Sequence, residues 1–82
     1  MITIKEAIGV VKKAIPDSIP QAVYGYKDGY YMVVAPQSKD GDLNAPFYLV
    51  RKSNGDMRAM SPLEDLEAFQ KTMEGGPLLK IG

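Results

Sequence analysis

Apolar residues recur with two different periods along this chain. Ile4, Ala7, Ile8, Val11 and Ala14 follow the i, i+3, i+4 spacing of one helix face. Thr3-Ile4-Lys5-Glu6 has the form of a capping box. Pro16 disfavours helical geometry at Ile15, so the pattern predicts a helix over 3–15. Gly9 interrupts its interior at a cost of about 1 kcal/mol relative to Ala. That cost suggests a close approach to a packed neighbour.

Strand-like segments follow. Residues 22–27 and 30–35 flank Asp28-Gly29, and residues 46–52 and 56–60 flank Asn54-Gly55. Both dipeptides favour two-residue hairpin turns, so an antiparallel meander of four strands is expected. Ser61-Pro62-Leu63-Glu64 opens a second helix over 62–74, with Ser as N-cap, Pro at the first position and Glu at the third. Leu63, Leu66, Phe69 and Met73 give it an apolar stripe, and Gly75-Gly76-Pro77 ends it. The apolar tail 76–82 is expected to dock on the sheet edge or on another chain. The expected fold is a single α+β domain over 1–82: a four-stranded antiparallel sheet with an N-terminal and a C-terminal helix packed on one face.

Turn position sets cross-strand pairing, and pairing sets the faces. With Asp28-Gly29 as the loop, Tyr26 opposes Tyr31 and Tyr24 opposes Val33. Val23, Met32, Val34, Phe47, Leu49 and Met60 then form the helix-covered face. The opposite face collects Tyr24, Tyr26, Tyr31, Tyr48, Val33 and Val50. An open aromatic face of this kind suits a protein partner or self-association. Arg51 and Arg58 are expected to face each other on the second hairpin and join this partner-binding set. They could instead pair with Glu64, Asp65 or Glu67.

Composition narrows the chemistry. The chain has 82 residues, 45% of them apolar, with ten basic and ten acidic side chains. It has no Cys, His or Trp, which removes disulfides, thiolate nucleophiles, imidazole metal sites and His-centred triads. No cofactor or metal is expected, and no enzymatic activity. Asp40, Asp42 and Asn44 begin like a calcium loop, but Ala45 and Arg51 stand where Gly and Glu are needed. Zero net charge argues against nucleic-acid binding. That binding would need a basic stripe joining Lys12, Lys13, Arg51 and Arg58. No stretch is apolar enough for a membrane span or a secretory signal, so a cytoplasmic location is expected. The neutral sum hides opposed blocks: residues 51–60 carry a net +2 and residues 61–75 a net −3.

The run Gly29-Tyr30-Tyr31-Met32-Val33-Val34, the segment from Ala45-Pro46-Phe47 to Ser53-Asn54-Gly55, and Ser61-Pro62-Leu63-Glu64-Asp65-Leu66 occur in that order. The arrangement resembles small bacterial immunity-protein domains of the YrhB type, and similar small proteins of phages and mobile elements. The resemblance covers roughly residues 24–70 and implies a non-enzymatic, protein-binding role, immunity-like or in assembly. The alternative is a small-ligand or enzymatic site using the loop 37–46 with Arg51 and Arg58. Nucleic-acid binding is the second alternative.

Overall fold

The computed structural model describes residues 1–36 and 47–81. Helix α1 runs Ile4–Ala14. The Thr3 hydroxyl accepts from the Glu6 amide at 3.1 Å, and the Glu6 carboxylate accepts from the Thr3 amide at 2.9 Å. The capping box therefore satisfies two amides that the helix leaves without partners. After α1, the Ser18 hydroxyl donates to the Ile15 carbonyl at 2.6 Å, which allows this residue to be fully buried.

Strands β1 (Ala22–Tyr26), β2 (Tyr30–Val34), β3 (Phe47–Arg51) and β4 (Met57–Met60) form an antiparallel meander. A single 3-10 turn over Pro62–Glu64 precedes helix α2, Leu66–Gly75. The Ser61–Glu64 capping box forms on that turn, so the expected second helix divides in two. Asp65 separates the parts at φ −153°, and its carboxylate caps α2 by accepting from the Ala68 amide at 3.1 Å. The tail then adds a fifth strand, β5 (Leu79–Lys80), antiparallel to β1. The sheet order is β4-β3-β2-β1-β5, so the sheet has five strands where four were expected. Of the two expectations for the tail, docking on the sheet edge is the one observed.

The two helices lie on opposite faces of the sheet, and this corrects the one-face arrangement. Ala7 and Val11 of α1 pack with Val23, Tyr31, Val33 and Val50, with Tyr48 and Met57 at the margin. Ala68 and Phe69 of α2 pack with Tyr26, Met32, Leu49 and Met60, with Tyr24, Tyr30, Val34 and Phe47 around them. Phe69 meets Phe47 edge to face at 5.1 Å.

A one-residue slip in the first hairpin accounts for the break-up of the expected tyrosine face. Tyr26 pairs with Tyr30 and Tyr24 with Met32, so the loop is Lys27-Asp28-Gly29, with Lys27 at φ +50°. Shifting the register by one residue exchanges the faces of one strand relative to the other. Tyr24 and Tyr26 therefore share a face with Met32, and Tyr31 and Val33 lie on the other. The second hairpin departs by two residues. Val50 pairs with Met57 and Leu49 with Arg58, around a four-residue loop. An even shift preserves the faces, and Phe47, Leu49 and Met60 stay together as expected. It does remove the direct Arg51–Arg58 opposition, because Arg51 now lies across from Asp56 and donates to its carbonyl at 2.7 Å.

Candidate functional site

The expected tyrosine face does not exist as one surface. Val33 and Val50 are fully buried beneath α1, and Tyr31 is buried with them at 8% exposure. The Tyr31 hydroxyl donates to the Ile2 carbonyl at 3.3 Å, and half-buried Tyr48 packs against the same cluster. Tyr26, at 3% exposure, and half-buried Tyr24 belong to the α2 core. Six of the eight expected partner-binding residues are thus core or core margin. Arg51 and Arg58 are the exposed pair.

Basic side chains crowd the turn end of the sheet. Lys27 Nζ lies 5.7 Å from the Tyr26 ring centre, the Arg51 guanidinium 5.9 Å from Tyr30, and Lys52 Nζ 4.9 Å from Tyr31. Each is a cation–π placement. The acidic segment between the 3-10 turn and α2 answers part of this charge. Lys27 pairs with Asp65 at 3.0 Å, and Arg58 pairs with Glu64 at 3.0 Å. The Ser61 amide, then Arg58, hold the Glu64 carboxyl below its ordinary value. Lys27 and then the Ala68 amide do the same for Asp65. The hydrogen bond and charge of Asp65 in turn raise Lys27. Of the expected internal pairings, the Arg58–Glu64 pair forms, and among the described residues Arg51 has no acidic partner within ion-pair distance.

Tyr30, Leu49, Arg51, Asp56, Met57 and Arg58 line an open hollow of about 210 Å³ at this end. Tyr30 was absent from the expected set, because its alternation places it with Met32 and Val34 on the face expected to lie under the helices. A larger hollow of about 410 Å³ beneath the end of α2 is walled partly by Val34 and Phe47. These two residues adjoin the undescribed segment, and no ligand is assigned there.

The basic stripe required for nucleic-acid binding is interrupted. Lys12 and Lys13 belong to α1, on the far side of the sheet from Arg51 and Arg58. Lys12 Nζ already donates to the Ser18 carbonyl at 2.7 Å. Asp40, Asp42, Asn44 and the loop 37–46 lie outside the described residues. Among the described residues, no helix is long and apolar enough to cross a membrane.

A further exposed feature is the outer edge of β5. Leu78, Leu79 and Ile81 are 54%, 37% and 51% exposed. Leu79 pairs with Val23 and therefore sits on the α1 side, as does Ile81 two residues on, while Lys80 pairs with Ala22 on the α2 side. The apolar Leu-Leu-Lys-Ile pattern was legible in the sequence, with the sheet edge as one of its two expected places; the strand it pairs with, β1, was not. Comparison of the chain with protein-family models, curated proteins and solved structures returns no match.

Proposed function

We propose that this chain is a small, non-enzymatic protein-interaction module that recruits an extended segment of a partner protein onto the outer edge of β5. The role is immunity-like or that of an assembly accessory, in a bacterium, phage or mobile element, in line with the sequence resemblance. The observation that carries the reading is the edge itself. Two of its three exposed apolar side chains, Leu79 and Ile81, sit on one side, with a cation on the other. Among the described residues no strand pairs with it from outside. An unpaired strand edge is a template for strand addition, and at two residues this one admits only a short, matched segment rather than indiscriminate pairing.

Charge selects the occupant. A second copy pairing antiparallel across a two-fold axis centred on β5 sets Lys80 against its own equivalent or against an apolar residue. Like charges placed directly opposite are destabilising. A partner strand with an acidic residue opposite Lys80, flanked by apolar residues matching Leu79 and Ile81, satisfies both sides. The recognition surface therefore moves from the sheet face to the sheet edge.

Fluorescence anisotropy with labelled five-residue peptides, one centred on Val-Glu-Val and one on Val-Lys-Val, tests this. The acidic peptide is expected to bind about three- to tenfold more tightly. Lys80→Glu is expected to reverse that preference, with light scattering reporting a monomer throughout. Equal binding of both peptides, or a dimer dissociated by Leu79→Asp, overturns the reading.

A further inference from the structure

We infer that the hollow at the turn end of the sheet is a carboxylate site, taking an acid with a compact apolar body. It lies at the far side of the sheet from β5 and stands independently of the strand-addition reading. Its lining includes two arginines, Arg51 and Arg58, and one acidic residue, Asp56. Asp56 is committed to its own turn, where Oδ2 accepts from Asn54 Nδ2 at 3.1 Å and its amide donates to Asn54 Oδ1 at 3.0 Å.

The guanidiniums are differently prepared. Arg58 Nη1 donates to Glu64 Oε1 at 3.0 Å and to the Ala59 carbonyl at 3.3 Å, which fixes its plane. Its Nε and Nη2 have no acceptor among the described residues. Arg51 lies over the Tyr30 ring with its donors free of any acidic partner among those residues. Planar forks match carboxylates in two-point geometry, and a guanidinium stacked on a ring is already oriented for it. The half-buried Tyr30 ring supplies apolar surface beside the guanidiniums, and Leu49 closes the bottom almost fully buried. At about 210 Å³, the volume falls below the roughly 300 Å³ where drug-sized pockets begin. It suits one ring, one branched chain, or a single acidic side chain of another protein.

The two possible sources of the carboxylate separate in one experiment. Amide chemical shifts of ¹⁵N-labelled protein are followed at constant ionic strength against benzoate and against N-acetylglutamate amide. Saturable shifts are expected at Tyr30, Leu49, Arg51 and Arg58, with a Kd on the order of 10 mM for benzoate. Tighter binding of benzoate points to a free acid, and tighter binding of the blocked glutamate to an acidic side chain. Arg51→Gln is expected to weaken either ligand about tenfold, and Lys13→Gln on α1 to leave both unchanged. Arg51 is exposed, so its variant keeps the native spectrum as the check on folding. Absence of saturable shifts with both probes, or undiminished binding by Arg51→Gln, overturns the site.

Discussion

Three glycines show how backbone angle and free space decide the effect of a methyl group. Gly9 in α1 is exposed, and nothing lies within 4 Å of a Cβ added there. The close approach expected from its mid-helix position is absent, so it costs helix stability with no packing return. Gly9→Ala is expected to stabilise the protein by about 0.5–1 kcal/mol, read as a higher urea midpoint at unchanged slope. Gly55 has φ +79°, and a Cβ there would meet only Val10 and Ile2 methyls at ordinary contact distance. Gly55→Ala is therefore expected to lose about 1–2 kcal/mol through the left-handed backbone alone. Gly25 has no such angle, and its added Cβ would rest 3.5 Å from Leu78 Cδ1. Gly25→Ala should fall within about 0.5 kcal/mol of the native protein in the same titration.

At the scale of elements, the two helices are unequally attached. Ala7 and Val11 of α1 are fully buried, whereas α2 has no buried residue and rests on Ala68 and Phe69. Leu66 and Met73 of its expected stripe remain exposed. Few buried apolar contacts mean a low free energy of local opening. Amides of α2 are expected to exchange with deuterium faster than those of α1. Phe69→Ala should widen the gap while leaving α1 protection nearly intact.

The ion pairs at the start of α2 add a pH dependence. The carboxyls of Glu64 and Asp65 sit below their ordinary values. Their contribution is present in full above the unfolded carboxylate range and is lost as pH falls below about 4. The raised Lys27 works in the opposite sense, with its contribution lost only in strong base. Protection factors of α2 amides should therefore fall in acid before those of α1 do. Added salt should blunt the difference, because these pairs are largely exposed. An α2 that exchanges as slowly as α1 at pH 3 would contradict this picture.

For the whole molecule, local signals located the elements well. Both capping boxes, both hairpins and the Pro-started turn are where residue chemistry puts them. The face assignment in the first hairpin was lost at one point, the choice between two and three loop residues at Lys27-Asp28-Gly29. No local signal there outweighed the Asp-Gly preference. A better clue was present in Tyr30-Tyr31-Met32-Val33-Val34-Ala35 and Phe47-Tyr48-Leu49-Val50. Continuous apolar runs without alternation mark strands buried on both faces. The candidate site was less legible. Arg51 and Arg58 stand out in the sequence, and the sheet edge is one of the tail's two expected places, but which edge and which side Leu79 takes depend on the tail's long-range pairing with β1.

That pairing also protects the sheet. Removing residues 77–82 would turn the five-residue β1 into an edge and uncover fully buried Val23. The truncated chain is expected to associate above micromolar concentration, seen as a rising mass in light scattering. A truncated protein that stays monomeric would show that β5 has no such protective role.

The sheet that separates the cores makes neighbouring residues into independent witnesses. Met32 and Val33 are adjacent in the chain and both fully buried, yet one side chain touches the α2 cluster and the other the α1 cluster. The methyl groups of a single dipeptide can thus time two events. Met32 reports when α2 settles and Val33 when α1 does, so one strand records the order in which the molecule closes.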